Sequence, residues 1–421
     1  MSGMQPVGVN VVGHAFSETG IGEALRSSVR ALDAARVPHV VVNLPDPRSP
    51  HSDRTLAGRT GAHAYPVNLL HVNAHTLPDL VRAQGYGTLR DRYNIGFWMW
   101  ETPEFPASRR AAFDYVDEVW VPSGFCRDAV ARQAPVPVFS MLHAVARPSA
   151  PAASRAALGL PASAFVFLFV FDVQSLVARK NPFALIRAFR ESVGRGDDAV
   201  LVLKLLNAVP RLVRELHEAA GDPRVIVIDR MMSRPELDGL FSACDCYVSL
   251  HRAEGFGLTL AEAMARGKPV MATAYSGNLE FMTPENSFLV RCALTTLDRD
   301  VDPFVKGSVW AEPDTDHAAA LMRQVRLDPG RAAEVGRLGQ ADVAARLSPE
   351  RIGSLMAGRL EAIAGRLAGD EGLREQWRRR DARFGSGRPR MGTLARLRRL
   401  VRRGPGPGEG PGPGGSGPSR R

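Results

Sequence analysis

Lysine is almost missing from this sequence. Of 54 basic residues only those at 180, 204, 268 and 306 are Lys; the rest are Arg. Together with abundant Ala and Gly this reflects a compositional bias, so the number of arginines says little about partners. Cysteine is scarce as well, with four in 421 residues (Cys126, Cys244, Cys246, Cys292). That excludes a disulfide framework. Cys244-Asp-Cys246 also lacks the two-residue spacing of a zinc-binding pair, and no second pair answers it. A reducing, cytoplasmic location is expected. No apolar run approaches the ~18 residues of a membrane span. The longest, FVFLFVF at Phe165–Phe171, has the size and residue types of a strand. The opening MSGMQPVGVNVV has no charged region and no signal-peptide layout.

Acids are nearly absent from one end. From Glu371 to Arg421 there are 14 Arg against Glu371, Glu375, Asp381 and Glu409, which accounts for the whole formal charge of +10. The body of the chain is close to neutral, and a nucleic-acid-binding function loses its electrostatic support. Within this tail GPGPGEGPGPGGSGPS is of low complexity and is expected to be disordered. Before it, Met391, Leu394, Leu397, Leu400 and Val401 recur at helical spacing with Arg opposite them. Such a basic amphipathic segment suits peripheral contact with an anionic membrane, or else a solvated charged tail.

The body alternates strand, turn and helix. Strands are expected at Val7–Val12, Val40–Leu44, Asn68–Val72, Asn94–Trp100, Glu118–Pro122 and Pro137–Leu142, with Phe113–Val116 leading into the fifth and a helix from Gly22 to Ala35. A Pro/Ala/Ser hinge, Arg147–Ser154, marks a boundary. A second series follows, with strands at Phe165–Phe171, Ala199–Leu205, Arg224–Ile228, Cys246–Leu250 and Val270–Thr273. Helices are expected at Asn181–Val193, Arg211–Ala220, Arg234–Ala243 and Thr259–Ala265. Each strand is a short apolar block, as in a parallel sheet covered on both faces. The expected fold class is α/β: two Rossmann-like doubly wound parallel-sheet domains facing a cleft, residues 1–147 and 155–345. Residues 346–385, including a helix at Ser348–Ala368, would pack back towards the first domain, and 386–421 would form the tail. Ligands of such sheets bind at the carboxyl ends of the strands, which here means the cleft.

Two Gly-rich stretches follow strands. GHAFSETGIGEAL at Gly13–Leu25 invites a dinucleotide reading. No Tyr has a Lys four residues on, and the second strand carries no acid at its tip, although Asp46 lies nearby, so that reading is disfavoured. Gly20 and Gly22 serve either a tight turn and close packing or the approach of a phosphate or sugar to a helix N-terminus. The second stretch is HRAEGFGLTLAEAMARGKPV, His251–Val270. Gly255 and Gly257 remove Cβ atoms beside Phe256. The N–H groups of Gly257, Leu258 and Thr259 would face an anion, with the helix dipole behind them. Glu254 and Glu262 flank this seat. Carboxylates repel phosphate but accept hydrogen bonds from hydroxyls, so the ligand implied has hydroxyls, a diphosphate and more hydroxyls in that order: a nucleotide sugar. Glu262 would hold the ribose and Glu254 the sugar.

The segment Glu254-GFGLTLA-Glu262-AMARGKPV resembles the signature of the retaining glycosyltransferases of family 4, or group 1, with the GT-B fold. The likeness extends through Val225–Ser287 and, more weakly, into YNIGFWMWETPEFP and VDEVWVPSGF. It implies sugar transfer from a nucleotide diphosphate donor with retention, no cofactor and no metal, by front-face attack. The family's basic pair falls on Arg179 and Lys180, and base recognition near Arg230–Ser233. Two positions depart from the family pattern: Phe171-Asp172 stands where Gly-Arg is usual, and Trp100-Glu101 where many members have His. Glu101 is therefore the second catalytic candidate beside Glu254. A glycan, lipid-linked or small-molecule acceptor is expected on the first domain. A nucleotide-sugar epimerase and a non-catalytic sensor are the rival classes. His14, His71, His75, His143 and His251 are expected as packed or surface residues, and Asp298-Arg-Asp300 lacks the strand context of a metal site.

Overall fold

The computed structural model describes residues 7–45, 53–146 and 154–384. Asp46, most of the 147–154 hinge and the 386–421 tail lie outside the described residues. The first unit contains β1 Val9–Gly13, α1 Gly20–Ala34, β2 His39–Asn43, β3 Val67–His71, α2 Leu77–Gln84, β4 Tyr93–Phe97, β5 Glu118–Val121, α3 Gly124–Ala131 and β6 Val138–Ser140. Its strands form one parallel sheet in the order β2-β1-β3-β4-β5-β6.

The second unit contains β7 Phe165–Asp172, α4 Val177–Lys180, α5 Pro182–Ser192, β8 Ala199–Leu206, α6 Pro210–Ala220, β9 Val225–Ile228, α7 Arg234–Ala243, β10 Cys246–Ser249, α8 Leu258–Ala265, β11 Val270–Thr273 and β12 Phe288–Val290. Its sheet is also parallel, in the order β12-β11-β10-β7-β8-β9. The strand order reverses between β7 and β10, which opens a crevice at their carboxyl ends. An antiparallel hairpin, β13 Cys292–Thr296 with β14 Val309–Pro313, precedes helices α9 Thr315–Leu327, α10 Pro329–Leu347, α11 Pro349–Gly369 and α12 Glu371–Phe384.

The expected two-sheet architecture is present. Among the described residues no helix is long and apolar enough to cross a membrane. Several expectations need correction. Phe113–Val116 is not the approach to a strand: Ala107–Tyr115 forms 3-10 turns. Its Ala112, Phe113 and Tyr115 are buried, so an apolar cluster without a clear period was misread as extended. The β13–β14 hairpin went unnoticed because Cys292–Thr296 is mostly exposed and has no apolar face. Helix starts follow local chemistry. Ser233 and Glu236 make a reciprocal capping box on α7, and Pro182, Pro210 and Pro349 occupy first-turn positions where a missing N–H costs nothing.

Buried polar groups pin the first sheet in register. The Asn10 Nδ2 donates to Asn68 Oδ1 at 2.9 Å, and the Asn68 Nδ2 donates to Asn94 Oδ1 at 2.8 Å, across three adjacent strands. A one-residue slip would strand these amides in the core without partners. The last helices return to this sheet. Arg359 of α11 pairs with fully buried Glu118, and Arg380 of α12 meets Asp117 at 2.9 Å. Ile352, Met356, Leu360 and Ile363 pack into the core of the first unit.

The contact between α1 and α11 is close because Gly353 has no side chain; a Cβ there would lie 2.1 Å from the Ala31 carbonyl oxygen. Gly353→Ala raises intrinsic helix propensity by about 1 kcal/mol. We expect it nevertheless to lower stability by about 1–3 kcal/mol through overpacking, read from the urea midpoint at unchanged m-value.

Candidate active site

The two sheets face a cavity of about 880 Å³. The loop from β10 to α8 carries Glu254. The Glu254 N–H donates to Ser276 Oγ at 2.8 Å, and its carbonyl accepts from the Gly277 N–H at 2.8 Å. Gly257 then takes φ +90°, a left-handed conformation that opens α8 and leaves its N-terminus at the cavity wall.

Opposite this loop the chain passes through α4. Leu176 has φ +70° and Asn181 φ +55°, so the single turn Val177–Lys180 is bracketed by two left-handed residues. For Leu such a conformation costs of order 1–3 kcal/mol. It delivers Arg179 and Lys180 together to the cleft. Lys180 Nζ pairs directly with the Glu254 carboxylate. Arg179 lies 3.4 Å from the same carboxylate and 3.8 Å from Glu101, and donates to the Ala253 carbonyl at 2.8 Å. Burial works to raise the Glu254 carboxyl, but Lys180 and Arg179 outweigh it and hold the group down at about 2. Burial pulls Lys180 below its ordinary value despite Glu254.

Glu262, one turn into α8, is 8% exposed and accepts from Arg234 at 2.8 Å. Arg234 also reaches across the cleft to within 3.9 Å of Glu23 on α1.

Most of the expected site residues meet here. Glu101, Arg179, Lys180, Glu254, Gly255, Phe256, Gly257, Leu258, Thr259, Glu262 and Gly20 all line the cavity. Gly22 does not: a Cβ on it would lie 2.1 Å from the Ser17 carbonyl oxygen, so it serves close packing within the turn. The Phe256 ring is packed between His143 and Phe281, with centroids 5.0 Å from each. Asp172, at the position where a basic residue is usual, accepts from the Gln174 N–H and from Asn207 Nδ2, both at 2.9 Å. Asp298 and Asp300 follow the exposed β13. Among the described residues no group of three or more His, Cys, Asp or Glu could hold a metal ion.

Sequence reasoning missed Arg234, whose signal was its place in the α7 capping sequence. It missed Lys204, a buried lysine inside β8 that also lines the cavity. It also missed Asp302–Phe304 from the hairpin, where Phe304 packs edge-on to Trp100 at 5.6 Å.

The histidines divide. His14, His75 and His143 line the cavity. His71 and His143 sandwich Phe97, at 4.7 and 5.3 Å, and His251 lies against Ser249 and Asn278. Burial pushes His71 and His143 down to about 3 and His251 to about 4. Their neutral forms are the folded forms, whereas the unfolded chain takes up protons near 6.5. Stability contributed by these groups is therefore complete above that value and is lost as pH falls towards 5, by on the order of 1–2 kcal/mol per histidine at pH 5. The lowered carboxylates act only at lower pH. Urea unfolding between pH 7 and 5 should show net proton uptake on unfolding that grows as pH falls; a flat profile would contradict the buried neutral state.

Residues 153–338 match the family model for glycosyl transferases group 1. Over 128 residues the chain is 36% identical to a D-inositol 3-phosphate glycosyltransferase of Arthrobacter sp. (strain FB24), covering 30% of each protein. It is 32% identical over 206 residues to the enzyme of that name from Mycolicibacterium paratuberculosis, covering 48% of this chain and 41% of the relative. The matches thus span about a third of the length of the first of these curated relatives. Among solved structures, Anabaena Alr3699/HepE in complex with UDP and glucose aligns with a TM-score of 0.61 at 17% identity, over 85% of this chain and 100% of that one. Sucrose-phosphate synthase from Thermosynechococcus elongatus aligns with a TM-score of 0.63 at 17% identity, over 85% and 99%. The chain therefore has the GT-B fold, and its residues 153–338 carry the likeness to the group 1 glycosyl transferases.

Proposed function

We propose that this chain is a glycosyltransferase that moves a sugar from a nucleotide diphosphate donor to an acceptor with retention at the anomeric carbon. One observation carries the reading: Glu254 and Glu262 stand on either side of an accessible helix N-terminus, with Lys180 and Arg179 facing it across one cavity. The α8 N–H groups, its dipole and Lys180 stabilise the charge that develops on a leaving diphosphate, in the role a divalent metal plays elsewhere. Glu262 receives the ribose hydroxyls. Glu254 holds the transferred sugar, and Arg179 fixes the loop beneath it. Glu254 and Glu101, the two carboxylates assigned to the reacting centre, are both held by cations, which favours attack by the acceptor from the face the diphosphate leaves and hence retention. Glu101 faces the reacting centre from the first domain and stabilises positive charge on the sugar ring.

The first domain receives the acceptor, a glycan, a lipid-linked molecule or a small molecule, at the cytoplasmic side. The basic tail adds peripheral contact with an anionic membrane. Uridine diphosphate is the first nucleotide to try, since the Anabaena fold neighbour is in complex with UDP. The curated relatives support sugar transfer as the reaction class.

Glu262→Ala should weaken nucleoside diphosphate binding about tenfold to a hundredfold, the worth of a charge-assisted hydrogen bond. Glu254→Gln should lower turnover ~10²–10³-fold, as for a lost stabilising contact in a transition state, with binding little changed. Calorimetry with UDP, GDP and ADP, and release of nucleoside diphosphate from their sugar conjugates, check both. No binding of any of the three at millimolar concentration would reject the proposal.

A further inference from the structure

The loop that carries Glu254 is held from outside its own domain. The Ser123 Oγ at the N-cap of α3 donates to the Gly255 carbonyl at 2.6 Å while accepting from the Cys126 N–H at 3.2 Å. The Cys126 thiol lies 3.2 Å from the same Gly255 oxygen and 2.8 Å from the Trp100 oxygen. Glu280 of the second domain places its carboxylate on the Gly124 N–H, at the positive end of α3. The Phe125 ring meets Tyr275 edge-on at 5.5 Å, next to Ser276, whose hydroxyl accepts from the Glu254 N–H. Ser123 and Cys126 are fully buried in this arrangement. One turn of α3 thus touches the residue after Glu254 and the residue before Glu101.

We propose that Ser123 and Cys126 are positioning residues, and that docking of α3 on Gly255 makes closure of the cleft and assembly of the Glu254–Glu101 site a single event. With the cleft open, the Gly255 carbonyl leaves α3 and turns to water, while the Trp100 carbonyl keeps the Cys126 thiol of its own domain. The two carboxyl-bearing loops then have no contact to set their separation. The proposal rests on the glycosyl-transfer reading only for its consequence on turnover; the docking itself is a property of the ligand-free chain.

The buried thiol supplies the readout. The full-length protein, without ligand, is treated with N-ethylmaleimide, and each cysteine is followed by peptide mass spectrometry. Cys244 and Cys246, buried in the core of the second domain, report unfolding. Two variants loosen the docking from opposite sides: Ser123→Ala, and Glu280→Gln, which leaves the α3 cap intact. Both should label Cys126 at least tenfold faster than the parent with Cys244 and Cys246 still protected, and Ser123→Thr should restore protection. With an active donor, Ser123→Ala should lower kcat at least tenfold while the donor KM stays within threefold. Faster labelling in Ser123→Ala alone is fraying of α3 and overturns the proposal. So does labelling of Cys244 and Cys246 in parallel, an unchanged Cys126 rate in both variants, or a rise in KM with kcat intact. Because labelling needs no substrate, these outcomes are readable even if no sugar nucleotide is turned over.

Discussion

A carboxylate enclosed by protein has to be neutralised where it stands. Glu254 has a side chain only 13% exposed, and an isolated charge in that position would cost several kcal/mol. Lys180 and Arg179 meet the cost on one side, and Glu101 balances Arg179 from the first domain. Two acids and two bases thus form a closed set, and deleting Glu254 would leave Lys180 without its carboxylate, an uncompensated buried charge costing roughly 3–5 kcal/mol. The left-handed residues at 176 and 181 follow from this need, because consecutive side chains of a short turn have to reach one carboxylate. An anion entering the cavity meets a lysine already held by an acid. Binding it is an exchange of partners for Lys180, with the net charge of the set changed only by what enters.

The same electrostatic rule ties the end of the chain to its beginning. Asp117 and Glu118 sit at the start of β5 with almost no access to water. Their partners, Arg380 and Arg359, come from α12 and α11. Burial pushes Asp117 up even so, against Arg380 and the Asn94 N–H, which shows how little margin the pairing leaves. Without the last two helices the first sheet would hold two uncompensated acids and expose Ile352's neighbours in the α1 face. The chain therefore crosses the cleft twice, once after β6 and again where α10 gives way to α11. The second crossing is as much part of the first domain's core as its own strands.

Much of this was legible from the sequence, and the physical reason is local. The strand blocks of the second unit are short and apolar because both faces are covered. Arg234–Ala243 and Val270–Thr273 fall at their expected bounds. Gly257 and the residues that follow it announce a helix start close to a ligand-sized space. What could not be read is what distance in sequence hides. The Asn10–Asn68–Asn94 ladder needs three strands in register before any of its residues has meaning. Arg234 reads as an ordinary first-turn residue until the fold brings Glu262 and Glu23 to it. Gly22 fits two roles equally on spacing, and only the Ser17 carbonyl decides between them. The hairpin was hard to see because β13 is exposed along most of its length and has no buried face to impose a period, although β14 buries Trp310 and Ala311.

The departure at Asp172 shows how such a site stays coherent when one element of its pattern changes. An acid at the tip of β7 cannot replace a cation there, since it would repel the same anions. It instead accepts from the Gln174 N–H and from Asn207 Nδ2, and so caps the turn that leads directly into Leu176. That turn ends at the left-handed Leu176, which starts α4 and aims Arg179 and Lys180. A carboxylate that accepts a backbone N–H and a side-chain amide stiffens a loop more than a basic side chain reaching into solvent would. The acid at 172 thus holds the segment that presents the remaining cations. Lys204, paired in register with Val170 on the neighbouring strand, is buried beside the same cavity, where burial pulls its ammonium below the ordinary value.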